Sequence, residues 1–281
     1  MMKTFSLSMI TLSLAVLVAA NADAKDAEAL AAANAKLLEQ TAGKGFGPQS
    51  PRDLEQLEGT NPRAFNEAPD HDEMNLCNIH FHKNAEHRGG EFTTFAGYGD
   101  GTGFNTGYVY NGQLDDEHLK SVEHNICAGP GGSLQPGDTI EAHYVFTSAQ
   151  TNPGPTLGAC LSESTMNPQL RVEGQVYVLV NDSDALDFNE LAAFDTVNGY
   201  VQPLNIPTNT GEPIQYAGST TGPAYNEKGS PLKVSWSVRP QVAFVDIHSV
   251  GKWCEGNVFN ETAAHGVRNL VTHPELISDI D

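Results

Sequence analysis

From about residue 77 onward, apolar and polar side chains alternate in short runs rich in Val, Thr and aromatic residues, each bounded by Gly or Pro. Residues two apart in a strand share a face, so this pattern predicts strands over 77–83, 92–95, 107–110, 139–147, 170–181, 232–238 and 241–249. The expectation is a mainly β protein built on one large sheet, with few, peripheral helices. Helical spacing appears in one place, where Leu30, Ala33, Leu37 and Leu38 fall among Ala, Glu and Lys, with Gly43 as the stop. Residues 25–45 are therefore expected as an N-terminal helical segment. The Gly-, Pro- and charge-rich stretch 44–69 reads as an irregular wrap over a body spanning 46–281.

Ahead of that helix, Lys3 precedes an apolar run from Phe5 to Ala20 and then Ala22-Asp23-Ala24, a small-x-small cleavage pattern. Residues 1–24 accordingly read as a secretory signal peptide. No later stretch reaches the roughly 18 consecutive apolar residues of a membrane span, so the expected location is periplasmic or secreted, with no membrane partner after cleavage. The length suits one large core, and no break in composition divides it, which favours a single domain. A formal net charge of −20 repels phosphate backbones and anionic lipids, which argues against nucleic-acid and membrane binding. In an oxidising compartment, Cys77, Cys127, Cys160 and Cys254 read as two disulfides, and all three pairings stay open. None of them stands at the C-x-x-C spacing of a zinc–thiolate site.

The chemistry concentrates in Cys77-Asn78-Ile79-His80-Phe81-His82-Lys83-Asn84-Ala85-Glu86-His87. On a strand, His80 and His82 present two imidazoles on one face while Phe81 turns into packing. Glu141-Ala142-His143-Tyr144-Val145-Phe146 supplies a third histidine, with Glu141 on the same face to orient its ring. Three neutral imidazoles on a rigid sheet suit zinc and leave the fourth tetrahedral position to water. The glycines of 97–112 and 129–137 read as turns, since neither run carries the Lys-Ser/Thr ending of a phosphate cradle.

Taken together, these segments resemble carbonic anhydrases. His80-Phe81-His82, then Glu86-His87, then Glu141-Ala142-His143 follow the order of the H-x-H, E-H and E-x-H elements of the alpha class. Gly47-Pro48-Gln49-Ser50-Pro51 resembles its Q-S-P segment. Tyr216-Ala217-Gly218-Ser219-Thr220-Thr221-Gly222 resembles its Y-x-G-S-x-T-T-P loop, one residue shorter, and Val234-Ser235-Trp236 its V-T-W strand. The wording around Cys77 and Gly218 is closer to the delta class.

The resemblance implies an alpha-carbonic-anhydrase-like fold with a large, mostly antiparallel central sheet. It also implies reversible hydration of carbon dioxide to bicarbonate and a proton by a hydroxide bound to Zn2+. His80, His82 and His143 would be the metal ligands. Thr220 or Thr221, with Thr220 favoured, would orient the hydroxide and pass its own proton to Glu86. His87 would be buried support behind the site. Val145, Val178 and Trp236 would form the apolar wall where carbon dioxide rests. The shuttle histidine of the alpha class is replaced by Arg63, which cannot release a proton near neutral pH, and His71 is the nearest histidine to take its place.

Two other readings compete. His80-x-His82-x-x-x-Glu86 with Pro136-Gly137-Asp138 ahead of His143 also resembles the motifs of cupins, which would make Glu86 a fourth ligand in a jelly roll. A non-catalytic secreted zinc-binding protein would use the histidines and dispense with Glu86 and the threonines.

Overall fold

The computed structural model describes residues 28–63, 66–97, 99–220 and 228–280. The N-terminal 1–24 and Thr221 lie outside them. Among the described residues no helix is long and apolar enough to cross a membrane.

A six-stranded sheet organises the chain. Its strands are β1 (Asn75–Lys83), β6 (Thr139–Thr147), β7 (Leu170–Val180), β10 (Ile214–Ser219), β11 (Lys233–Val238) and β12 (Ala243–Asp246). They run in the order β1-β6-β7-β11-β10, with β12 also on β7. Three pairings are antiparallel. β11 and β12 both run parallel to β7, the first along Arg171–Gly174 and the second along Tyr177–Val180. They therefore share one edge of β7, end to end.

Alternation on β6 divides the interior in two. Ile140, Ala142, Tyr144 and Phe146 point into a core with Ile79, Phe81, Phe188, Val250 and Trp253. Val145 joins Val172, Val176, Val234, Trp236 and Tyr216 on the other face, the face that also carries Glu141 and His143. Every residue of β6 is buried, which is why polar side chains on it need partners.

Three small hairpins flank the sheet: β2 (Thr94–Phe95) with β3 (Tyr108–Val109), β4 (Ile126–Gly129) with β5 (Gly132–Leu134), and β8 (Phe194–Val197) with β9 (Tyr200–Pro203). The last turns on Asn198-Gly199, both at positive φ, a strong hairpin signal that the strand reading of the sequence passed over. The strand expected over 241–249 ends early. Asp246 accepts a hydrogen bond from the His248 backbone, caps the chain, and starts helix α3 (Ile247–Cys254). Helix α2 (Phe188–Leu191) packs beside it.

The described part of the N-terminal segment is helical over 28–41 (α1). Leu37 packs on Val271, Leu276 and Ile277. Asn34 donates to the Leu270 carbonyl and accepts from the backbone of Thr272 and His273, tying α1 to the C-terminal segment. The four cysteines form Cys77–Cys160 and Cys127–Cys254.

Candidate metal centre

The register of β1 against β6 sets His80 opposite His143 and His82 opposite Glu141. Three imidazoles from two neighbouring strands thus meet on one face, and His80, His82 and His143 form a group able to hold a metal ion. Each ring is turned by a different acceptor behind it. Nδ1 of His80 lies 2.7 Å from Oδ1 of Asn78. Nδ1 of His82 lies 2.9 Å from the Gly266 carbonyl, and Nε2 of His143 lies 2.9 Å from Oε1 of Glu141. These contacts place the N–H of each ring outward and leave Nε2, Nε2 and Nδ1 as the inward-facing lone pairs.

One distance tests the fit. His143 Nδ1 and His80 Nε2 stand 3.3 Å apart. Two nitrogens, each about 2.05 Å from a tetrahedral zinc, are separated by roughly 3.3 Å. The donor set also suits a divalent ion electrostatically. Burial first, then the neighbouring imidazoles, holds His80 well below the ordinary imidazole range. Burial likewise brings His82 down to about 4 against the partial opposition of Glu86. Neutral rings with free lone pairs are what a metal requires.

Glu141 is the hub behind the site. Its Oε2 accepts the backbone N–H groups of Glu86 and His87 at 2.7 and 3.1 Å, and its Oε1 also lies 2.6 Å from His87 Nδ1. Burial alone would raise its pKa. The His87 interaction and the hydrogen bonds of His143 and His87 outweigh burial and hold it well below the usual carboxylate range. His87 is fully buried. Its Nε2 lies 2.7 Å from the Tyr216 hydroxyl, which in turn donates to Ser50 Oγ at 3.1 Å. Ser50, from the Gln49-Ser50-Pro51 segment, also accepts the backbone N–H of Ser219.

Glu86 lies behind the ligands, not at their focus. It is 3.6 Å from Nδ1 of His82 and 4.0 Å from Nε2 of His143, the nitrogens that face outward, and it accepts the Arg268 backbone N–H at 2.9 Å. That position, on a single six-stranded sheet, does not fit the four-ligand cupin reading. Thr220, at the end of β10, is buried, and its backbone donates to Leu232.

Of the expected apolar wall, Val145 and Trp236 come together, and the Trp236 ring lies 5.0 Å from that of His143. Val178 does not join them. It stands opposite Thr139, whereas the residue opposite Val145 is Val172. His71 is likewise elsewhere: its ring lies 5.4 Å from Phe146, on the opposite face of the sheet from His80.

Two residues at the site carried no role in the sequence reading. Asn78 stands two before His80 as Glu141 stands two before His143, so the same spacing argument would have found it. His265 had no such signal, because 260–270 lacks a strand period. Its backbone bridges β1 through Phe81 and Lys83, which sets its half-exposed ring 5.3 Å from His80 and 5.7 Å from His82. The hydrogen bond to Glu261, 2.7 Å away, raises its pKa above the ordinary value.

Three imidazoles converging from adjacent strands, each fixed from behind, make a group able to hold a metal ion. The chain belongs to the delta carbonic anhydrase family, whose model matches residues 71–249, and it is a carbonic anhydrase by that membership. No curated protein matches it in sequence. Among solved structures it is similar to the alpha-carbonic anhydrase of Thermovibrio ammonificans in complex with sulfanilamide, at 16% identity over 83% of this chain and 87% of that one, TM-score 0.28. It is similar also to a halotolerant carbonic anhydrase from Dunaliella salina, at 15% identity over 80% and 88%, TM-score 0.30. Overlaps this loose place no residue.

Proposed function

We propose that this protein catalyses the reversible hydration of carbon dioxide to bicarbonate and a proton, with zinc held by His80, His82 and His143. The observation that carries the reading is the 3.3 Å approach of His143 Nδ1 to His80 Nε2, made by rings whose outward nitrogens are already engaged. Zinc held there would supply the Lewis acidity that activates water near neutral pH.

The chain's own residues do the rest. Asn78, Gly266 and Glu141 hold the three rings in the tautomers that ligate. Val145, Val172 and Trp236 line an apolar wall beside the metal, suited to a substrate with no charge to pair. Thr220 would accept a hydrogen bond from the reacting oxygen and donate its own hydroxyl hydrogen to Glu86, which also accepts the Arg268 backbone N–H. Two disulfides and the N-terminal signal pattern support a periplasmic or extracellular site of action.

The test is carbon dioxide hydration followed by stopped-flow with a pH indicator, beside a His143→Ala variant. Activity that a zinc chelator and the substitution both abolish is expected. A protein that holds one zinc and shows no hydration would overturn the catalytic reading and leave a zinc-binding protein in its place.

A further inference from the structure

On β1 the pairing with β6 slips beside the metal site. Leu76 stands opposite Phe146 and Asn78 opposite Val145, so Cys77 is an extra residue, a bulge. The bulge turns Leu76 into the core with Phe81 and brings Cys77 to the other face, beside Val145 and Val172. There Cys77 is bonded to Cys160. Its carbonyl also accepts the backbone N–H of Gly154 at 3.0 Å, and the Gly154 carbonyl accepts Nδ2 of Asn78 at 3.0 Å.

That last bond decides which way the Asn78 amide faces. With Nδ2 spent on Gly154, Oδ1 is the atom presented to His80, and it accepts the proton on Nδ1. The lone pair of His80 then sits on Nε2, which faces the other two histidines. An amide turned the other way would offer an N–H to Nδ1, move the ring proton to Nε2, and block the ligating atom. Gly154 holds this choice only while its loop stays docked. Asn75 and Thr147 hold the two ends of that loop through the carbonyls of Ala149 and Cys160, and two further links fasten it at Cys77, next to Asn78: the hydrogen bond from Gly154 and the disulfide.

We propose that the Cys77–Cys160 disulfide is a positioning device for the metal ligand His80, acting through Gly154 and the amide of Asn78 to fix the ring's tautomer. The inference rests on the reading that His80 ligates zinc. The Cys127–Cys254 disulfide is the internal control, since it closes a comparably long loop, of sequence separation 127 against 83, but lies on the opposite face, in the core with Trp253.

The experiment is a competition titration of zinc against a chromophoric chelator, giving dissociation constants without recourse to activity. Asn78→Ala and the pair Cys77→Ser/Cys160→Ser are expected to weaken zinc binding by about 10–100-fold, and Cys127→Ser/Cys254→Ser to leave it within about twofold. An aspartate accepts with either oxygen and needs no Gly154 to orient it. Adding Asn78→Asp to the Cys77→Ser/Cys160→Ser protein is therefore expected to restore most of the lost affinity, a rescue that general stabilisation would not produce. Equal weakening in both serine pairs, no rescue by the aspartate, or undiminished binding in Asn78→Ala would each overturn the proposal. Where the serine pair does not fold, phosphine reduction of the Cys127→Ser/Cys254→Ser protein, in which Cys77–Cys160 is the one remaining disulfide, decides it: reduction must weaken zinc binding, and added Asn78→Asp must remove most of that loss. If the unaltered protein binds no zinc, the metal reading itself fails, an outcome distinct from all of these.

Discussion

The carbonyl of Gly266 lies 2.9 Å from Nδ1 of His82, across 184 residues of sequence. A glycine is needed at that point because a Cβ would come within 2.8 Å of the Thr102 carbonyl oxygen and 3.0 Å of Gly103 backbone atoms. Backbone cannot yield there without moving the Gly266 carbonyl. Gly266→Ala is therefore expected to weaken zinc binding by about tenfold with the sheet intact. Unchanged affinity in a chelator competition, with an unchanged far-ultraviolet circular dichroism spectrum, would show that the carbonyl does not orient His82.

Glu141 accepts from two backbone N–H groups and meets two imidazoles while fully buried. Glu141→Gln keeps the shape but sets an amide N–H against donors. The expected cost is about 3 kcal/mol of stability together with a zinc affinity lowered by about 10–100-fold. Denaturant unfolding of the metal-free protein and zinc titration check the two losses separately.

The metal-free protein should be acid-sensitive in a defined window. His80 and His82 are held below the ordinary imidazole value of 6.5, His82 at about 4, and unfolding returns both towards it. The unfolded chain then binds more protons, so stability falls as pH drops from about 6.5 towards 4, by about 3 kcal/mol for His82 alone. His265, raised above its ordinary value, works the other way: its contribution is present below 6.5 and lost as pH rises through the raised value. The paired depressed histidines dominate. Melting temperatures of the zinc-free protein at pH 7 and pH 5 test this, and equal values would contradict the assigned shifts.

Val172 and Val178 separate wall from core. Val172→Phe, beside Val145 and Trp236, is expected to lower kcat/KM for carbon dioxide by at least about tenfold while zinc binding stays unchanged. Val178→Ala, several residues further along β7, is expected to cost about 2 kcal/mol of stability and leave kcat/KM alone. Stopped-flow rates and thermal melts on both proteins distinguish the positions.

Much of this was legible in the sequence because strand chemistry has a period of two. The faces of His80, His82, Glu141 and His143 follow from spacing alone, and the limits of β6 follow from its unbroken run. What spacing does not carry is register. Val178 and Val172 share a face of β7, and only the pairing of β6 with β7 shows that Val172 is the one opposite Val145. Residues held by irregular backbone left no period to read, so His265 and the carbonyl of Gly266 could not be found that way. The helix at Ile247 was hidden for a related reason: one capping aspartate, Asp246, outweighs the β-branched residues before it.

The dependence of His82 on Gly266 also orders events in time. A chain made from its N-terminus has both histidines of β1 early, the third 63 residues after His80, and the carbonyl that turns His82 only near the end. Closing a contact over so long a stretch costs more chain entropy than closing the strand pairings nearer in sequence. The oriented set of three imidazoles is thus complete only once the segment carrying Gly266 has been made and docked on β1.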